Sequence, residues 1–160
     1  MILNFLNYLI LKIKNKDKNI EYLFLNNIIH KKTIEKKFNK TIETIKVNGE
    51  LHCENDLPAY VIKSKYRDEC VSIWYKKDKI HRDNDLPAYK MGDTKRKWYH
   101  NGILHRENDK PAIIDGYSVF WYKNGVLHRD NDQYATKTFE TLGIIYTWYQ
   151  NGKKHRLEKP

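Results

Sequence analysis

The chain has 160 residues, a mean hydropathy of -0.82 and a formal net charge of +10. This length predicts one domain with at most a small appendage, and an apolar content of 40% excludes a thick two-layer core. Aromatic residues make up 13% of the chain, which favours a sheet whose pleated surface is covered by tyrosine and tryptophan.

The first 44 residues carry most of the basic excess. Residues 1–46 hold ten lysines against four acidic side chains, whereas the remaining 114 residues hold 20 basic and 16 acidic ones. The apolar stretch at residues 1–13 lacks the charge order of a secretory signal and is shorter than a membrane span of about 20 residues. Beyond it, apolar residues approach helical spacing, so we expect residues 1–44 to form a helical, basic capping segment on the first sheet edge. These apolar residues are Ile20, Leu23, Phe24, Ile28, Ile34 and Phe38.

A repeated phrase organises residues 45–160. Each of the four tryptophans is followed by a tyrosine, at Trp74-Tyr75, Trp98-Tyr99, Trp121-Tyr122 and Trp148-Tyr149. A histidine follows each tryptophan after seven residues, and an additional histidine opens the same phrase without a tryptophan. The five histidines are His52, His81, His105, His128 and His155.

The phrase has a fixed length and one variable region. Its consensus is W-Y-x-N-G-x-x-H-R-[DE]-N-D-x-P-A, and 13 residues separate Trp from the Pro position wherever both can be counted. All variation in length falls between the Ala and the next Trp. Because insertions elsewhere would break the contacts between neighbours, this pattern predicts about five stacked units, each with one elastic loop.

Turn signals predict the secondary structure of each unit. Asn-Gly pairs at residues 48–49, 101–102, 124–125 and 151–152 favour tight turns, and Lys77-Asp78 fills the same place in one copy. Each unit then supplies two strands, one after Pro-Ala and one ending at Trp-Tyr, with the Asn-Gly turn between units. The expected fold is mainly β, an open antiparallel β-meander of repeated hairpins with an N-terminal α-helical cap. Alternation along a strand places the tryptophans on one face and the tyrosines on the other.

The phrase W-Y-x-N-G-x-x-H-R-x-N-D-x-P-A is similar to the MORN repeat, and closer to the variant forms found in bacterial, phage and giant-virus proteins. The resemblance covers roughly residues 45–160. It implies an open β-meander of hairpins that serves as a scaffold or as a platform for membranes or proteins, with no shared catalytic residues. The typical motif is richer in Gly, and His-Arg-Asp-Asn-Asp stands here in its place, so lipid binding does not carry over.

The His-Arg-[DE]-Asn-Asp run is the one cluster that could carry chemistry. It recurs four or five times, no Ser or Cys recurs with it, and its Asn and Asp suit a turn, so a structural role is favoured over catalysis. Equivalent histidines should lie about 10 Å apart, twice the strand spacing, which is too far for a shared zinc ion. A calcium ion within one Asp-Asn-Asp turn is the alternative, but the ligands are few. We therefore predict no metal and no cofactor.

The residues around the cysteines and arginines indicate the roles of these side chains. Cys53 and Cys70 share no metal-ligand spacing, so they indicate free thiols in a reducing cytoplasm, which for a viral protein is the host cytoplasm or the virion. The repeat arginines are expected to pair with nearby carboxylates, such as Asp83, Glu107, Asp130 and Glu158, or with the next repeat. A basic stripe that contacts nucleic acid beside the aromatic residues is the alternative.

These patterns favour a non-enzymatic repeat scaffold that binds another protein, a host factor if the source is viral. Hairpins at 60–71, 89–95, 113–119 and 136–145 would supply specificity, and the tryptophans and histidines would be structural. The alternative is a module that binds nucleic acid or an anionic membrane through the basic N-terminal segment. A hydrolase built on one His-Asp pair requires one repeat histidine to be uniquely essential. The candidate binding residues are Tyr75, Tyr99, Tyr122, Tyr149, Arg82, Arg106 and Arg129.

Overall fold

A computed structural model describes residues 9–14, 16–25, 28–52, 55–66 and 70–158. These residues are mainly β and form open antiparallel meanders of hairpins, and none of them lies in a helix. The chain divides into two compact units, Met1–Lys79 and Ile80–Pro160. The boundary expected between residues 44 and 45 stays a prediction. Cys53 and the first eight residues of the apolar N-terminal stretch lie outside the described residues.

The first unit is built on one antiparallel sheet. Its strand order is β1-β2-β3-β4-β6-β7, and the short strand β5 pairs with the end of β4. The strands are β1 (Leu9–Lys14), β2 (Lys18–Leu25), β3 (Ile28–Lys37), β4 (Lys40–Val47), β5 (Glu50–Leu51), β6 (Tyr60–Ser64) and β7 (Cys70–Ile73). Two short strands follow, β8 (Tyr75–Lys76) and β9 (Lys79–Ile80), with Lys77 and Asp78 at positive φ between them.

The predicted N-terminal helical cap is wrong. Ile20 lies on β2, and Ile28 and Ile34 lie on β3. Phe38 lies in the turn between β3 and β4, where its side chain is 92% exposed. The strands form because β-branched Ile, Thr and Val fill half of the positions of β3 and β4, and such side chains fit a pleated surface better than a helix. The apparent helical spacing therefore joined residues from separate strands.

The second unit repeats a larger motif. Its main sheet has the order β10-β11-β14-β15-β18-β19-β20, and two short hairpins lie off this sheet, β12-β13 and β16-β17. The strands are β10 (Tyr89–Met91), β11 (Lys95–Lys97), β12 (Tyr99–His100), β13 (Ile103–Leu104), β14 (Ile113–Asp115), β15 (Ser118–Phe120), β16 (Tyr122–Lys123), β17 (Val126–Leu127), β18 (Thr136–Glu140), β19 (Gly143–Gln150) and β20 (Lys153–Glu158).

A repeat in this unit has four short strands, not the two that its turn signals predict. The Asn101-Gly102 and Asn124-Gly125 turns each close a short hairpin, with positive φ at both residues as expected for such turns. Each turn glycine donates a backbone hydrogen bond to the preceding short hairpin, as from Gly125 to the Leu104 carbonyl at 2.9 Å. The short hairpins therefore form a second stacked column, which the chain enters after Trp98 and after Trp121.

The core is thin and consists of repeat residues. The buried hydrophobic side chains in the described part of the chain are the four tryptophans, 6–9% exposed, and the four alanines of the Pro-Ala position, 0% exposed. Backbone hydrogen bonds join the two sets, since Trp98 donates to the Ala112 carbonyl at 2.9 Å and Trp121 to that of Ala135 at 2.8 Å. The alanine of the Pro-Ala position, for which the sequence predicted no role, is the most completely buried position of the repeat. The alanines are Ala59, Ala88, Ala112 and Ala135.

Candidate functional site

The Asn-Asp turn of each phrase presents a backbone carbonyl to the next tryptophan. Asn84 and Asp85 both have positive φ, 61° and 52°, and Leu86 donates to the Asp83 carbonyl to close the turn. The Trp98 indole Nε1 then donates to the Asp85 carbonyl at 2.9 Å. The same bond, at the same length, recurs in all four copies, between Trp74 and Asp56, Trp121 and Asp109, and Trp148 and Asp132.

The arginine of the following phrase contacts both the aspartate and the tryptophan of this arrangement. Arg106 donates from Nε and Nη2 to the two carboxylate oxygens of Asp85, at 2.8 and 3.1 Å. Its guanidinium lies 3.7 Å from the centroid of the Trp98 ring, and its Nη1 donates to the Pro111 carbonyl at 3.4 Å. A cation–π contact and a bidentate, charge-assisted hydrogen bond thus hold the same guanidinium. We call each set of one aspartate, one tryptophan and one arginine a brace.

The other braces have the same chemistry. Arg129 donates to both Asp109 oxygens at 2.9 and 2.8 Å and lies 4.0 Å from the Trp121 ring. Arg156 also lies 4.0 Å from its tryptophan ring, Trp148, but its contact with Asp132 is longer, at 3.4 Å. Arg82 donates to the Pro87 carbonyl at 3.3 Å. Arg106, Arg129 and Arg156 thus contact a carboxylate of the preceding phrase, where the sequence predicted a nearby carboxylate or the next repeat.

Electrostatics follow from this packing. The hydrogen bonds from Arg106 and Lys110 outweigh partial burial and hold the pKa of Asp85 at about 2, below its ordinary value of 3.8. Burial alone would lower the pKa of Arg129, but its hydrogen bond and charge interaction with Asp109 outweigh burial and raise it. Only 14% of the Arg106 side chain and 11% of the Arg129 side chain are exposed. Little of either guanidinium therefore faces solvent, and a role of these arginines in ligand binding stays a prediction.

The repeat histidines are held at both ring nitrogens. The backbone N–H of Asn101 donates to His81 Nδ1 at 3.1 Å, and His81 Nε2 lies 2.8 Å from Asp83 Oδ1. His128 repeats this arrangement with Asn151 and Asp130. Because a backbone N–H can only donate, Nδ1 must accept, and Nε2 carries the proton toward the carboxylate. Each histidine thus fixes the turn of the following repeat.

His105 follows this rule at both ring nitrogens, His52 is bonded at Nδ1, and His155 differs. His105 accepts from the Asn124 N–H at 3.2 Å and contacts Glu107 at 2.9 Å. His52 accepts from the Lys77 N–H at 3.4 Å. His155 lies exposed on β20 in extended backbone, whereas the other histidines precede an Asn-Asp turn.

Two open grooves lie between successive phrases of the second unit. One has a volume of about 270 Å³ between the phrases that begin at His105 and His128, and the other about 240 Å³ between those at His81 and His105. Tyr122 lines the first groove and Tyr99 the second. The histidines, arginines and aspartates around them already form the contacts described above.

The candidate tyrosines are half-buried at the corners of the chain. Tyr75, Tyr99 and Tyr122 each begin a short strand, and Tyr149 follows a β-bulge in β19. Burial, with a smaller contribution from nearby groups, raises the pKa of Tyr75 and of Tyr122. Their use as binding residues stays a prediction.

A different surface is exposed at the tips of the main-sheet hairpins. Tyr117, in the turn between β14 and β15, is 82% exposed, and Leu142, in the turn between β18 and β19, is 96% exposed. Phe139 is 44% exposed, and its ring centroid lies 5.6 Å from that of Tyr117. Consecutive hairpins of an antiparallel meander place their turns at one end of the sheet. We call Tyr117, Phe139 and Leu142 the tip patch.

The sequence pattern found some of these residues and missed others. It identified the tryptophans and arginines, which the structure places in the braces, and the histidines, whose contacts are described above. It missed the partner of the arginine, the second acidic residue of the phrase, represented by Asp85 and Asp109. The signal was present, because this aspartate occurs in all four complete phrases, while the first acidic position alternates between Asp and Glu.

Comparisons with known proteins give no relative. No protein-family model, curated protein or solved structure matches the chain. In the part of the chain that the structure describes, no three His, Cys, Asp or Glu side chains cluster closely enough to hold a metal ion. None of the described residues forms a helix that could span a bilayer.

Proposed function

We propose that the protein is a non-enzymatic repeat scaffold that binds a protein partner through the hairpin tips of its second unit. The observation that carries this proposal is the exposure of Tyr117 and Leu142, which are 82% and 96% exposed. Exposed apolar patches on soluble domains mark interaction surfaces, and aromatic residues dominate their binding energy. The resemblance to MORN repeats also supports a scaffold.

The repeat chemistry supports the absence of catalysis. A general base needs a free nitrogen or oxygen within reach of a substrate. In His81 and His128 both ring nitrogens are engaged, one with a backbone N–H and one with a carboxylate. A His-Asp pair that would suggest a hydrolase is therefore part of the stack, and it recurs in successive repeats.

The test uses the full chain and two matched double variants. Tyr117→Ser with Leu142→Ser removes the tip patch, whereas Ile103→Ser with Val126→Ser removes apolar side chains that are 50% and 43% exposed on the short hairpins. A partner captured from the native source is purified, and its Kd is measured by calorimetry. We expect the tip variant to weaken binding by at least about tenfold and the control by less than about twofold. Equal loss in both variants, or binding unaffected by the tip variant, would refute the proposal.

A second candidate function is the binding of nucleic acid or an anionic membrane by the first unit. The observation that favours it is a set of lysines on one face of the sheet formed by β2, β3 and β4. Two pairs of them lie directly opposite each other on β3 and β4, Lys31 with Lys46 and Lys37 with Lys40.

A further inference from the structure

The sheet of the first unit has two faces of different character. Its register places alternate residues of β2, β3, β4 and β6 on one face, which we call the lysine face. Near its centre, Thr33 is 8% exposed and lies opposite Thr44. The residues of this face in those strands, where side chains are described, include Lys18, Ile20, Tyr22, Ile29, Lys31, Thr33, Glu35, Lys37, Lys40, Ile42, Thr44, Lys46, Tyr60 and Ile62.

Like charges lie opposite each other on the lysine face. Lys31 is the cross-strand partner of Lys46, and Lys37 is that of Lys40. Directly opposed like charges destabilise a sheet. The one acidic side chain among the described residues of this face, Glu35, is bonded to Lys18 at 2.9 Å, which lowers the pKa of Glu35. Two lysine pairs therefore lie on a surface where the one carboxylate of the described strands, Glu35, is already paired with Lys18.

The opposite face of the same sheet pairs several of its lysines with glutamate. Lys12 pairs with Glu21 at 3.4 Å, and Glu43 pairs with both Lys32, at 3.4 Å, and Lys63, at 2.7 Å. The strands are the same and the lysine content is similar. The difference is that the second face alternates lysine with glutamate across strands, whereas the lysine face opposes lysine with lysine.

We propose that the lysine face binds single-stranded nucleic acid, with phosphates at the two lysine pairs and bases over Tyr22 and Tyr60. The pairs lie six residues apart along β3, or about 20 Å at the rise of a strand, so one strand of nucleic acid can contact both. Tyr22 adjoins the first pair, with Lys31 Nζ 5.4 Å from its ring centroid, and Tyr60 lies across from Thr44. Lysines beside aromatic rings on an open sheet are the elements of single-strand recognition.

Two other polyanionic partners fit less well. A membrane surface requires several apolar side chains that project past the lysines. Ile29 is 42% exposed on this face, but Ile20, Ile42 and Ile62 are half-buried in the sheet. An acidic protein segment would neutralise the lysines but gives the tyrosine rings no base to stack on. The inference deepens the second candidate function and is independent of the tip patch.

The test measures binding of the full chain to a fluorescein-labelled oligothymidylate of about 20 nucleotides, a length that exceeds common single-strand site sizes. The variants are Lys31→Gln with Lys46→Gln, and Lys37→Gln with Lys40→Gln. The control is Lys14→Gln with Lys36→Gln, two exposed lysines on the opposite face, which changes the net charge by the same amount. A fourth variant, Tyr22→Leu, removes a stacking surface without changing charge.

Each lysine-face double variant should lose two phosphate contacts, and each contact contributes about 0.7 to the slope of log K against log salt. At about 0.2 M salt the loss of both contacts should weaken binding by about tenfold. The slope should fall by about 1.4 for each pair, whereas the control should keep at least half of the affinity. Tyr22→Leu should weaken binding without changing the slope. Without ligand, Lys31→Gln with Lys46→Gln should raise Tm by about 1–2 °C, because it relieves the opposed charges.

Several outcomes would overturn the proposal. One is a loss in the control variant equal to that in the lysine-face variants, which would mean that only net charge matters. Another is equal affinity for a duplex of the same length. A third is lysine-dependent binding to vesicles that contain phosphatidylserine with no binding to the oligonucleotide. The variant that lacks Tyr117 and Leu142 should bind the oligonucleotide normally, so failure of this proposal and failure of the scaffold proposal are distinguishable.

Discussion

The charge of Asp85 should stabilise the fold, and Asp85→Asn tests this without removing the rest of the brace. Asparagine keeps the backbone carbonyl that accepts from Trp98, and it tolerates the positive φ of 52° at this position. The substitution removes the negative charge that faces Arg106 and Lys110, at 2.8 and 2.7 Å, and exchanges one accepting carboxylate oxygen for an amide N–H donor.

The pKa gives an upper bound on the effect. A carboxyl whose pKa is about 2 instead of 3.8 gains at most about 2.4 kcal/mol on ionisation in the folded state. The Asp85 side chain is 40% exposed, so solvent screening reduces the expected loss to about 1 kcal/mol. Asp132→Asn is the matched control, because its contact with Arg156 is 3.4 Å long and its side chain is 66% exposed. We expect that variant to lose less than about 0.3 kcal/mol.

The assay is urea unfolding of both variants and the unsubstituted chain over a range of pH. The folded-state pKa of Asp85 lies below the unfolded value, so its contribution is fully present above about pH 4 and is lost as the pH falls toward 2. The difference in free energy of unfolding between the unsubstituted chain and Asp85→Asn should therefore be constant from pH 5 to pH 7 and small near pH 2. A difference that persists at pH 2, or an equal loss for Asp132→Asn, would refute the reasoning.

Three further predictions concern the repeat core. Trp121→Phe removes the indole donor to the Asp109 carbonyl and should cost about 1–3 kcal/mol in urea unfolding; a loss below about 0.5 kcal/mol would contradict the role of that bond. Ala112→Leu adds volume at a position that is 0% exposed and should cost about 1–3 kcal/mol, and a neutral result would mean that the site has spare room. Nitrogen chemical shifts at neutral pH should show His81 and His128 as the Nε2–H tautomer, and an Nδ1–H tautomer would rule out the backbone bond proposed to each ring.

The sequence predicted the repeat because its information is local there. An Asn-Gly or Asn-Asp pair encodes its own backbone conformation, and the structure gives both residues of these turns positive φ. The hairpin at the end of each repeat was not predictable in the same way. Its strands are two residues long, as in Tyr99–His100 and Ile103–Leu104, and alternation cannot be recognised over two residues.

The arginine partner and the N-terminal strands needed information that the local sequence lacks. Arg106 pairs with Asp85, 21 residues earlier, although Glu107 is adjacent, because stacking of the repeats determines which carboxylate the guanidinium reaches. At the N-terminus, apolar residues from different strands matched a helical period by coincidence. The preference of Ile and Thr for strands, which acts at each position, then outweighed the spacing.

A group that recurs in every repeat and is bonded to its neighbour cannot easily be free for a ligand at the same time. The braces of Trp98, Trp121 and Trp148 and the contacts of His81, His105 and His128 use equivalent donors and acceptors, so this common geometry holds the repeats together. Selectivity for the proposed partner must then arise where the repeats differ. The main-sheet hairpin turns of the second unit differ in sequence and are Gly92-Asp93-Thr94, Gly116-Tyr117 and Thr141-Leu142. These turns lie outside the braces. Exchanging a turn sequence should therefore change what the protein binds while the free energy of unfolding stays nearly constant, because surface substitutions away from core contacts usually change it by about 0.5 kcal/mol or less.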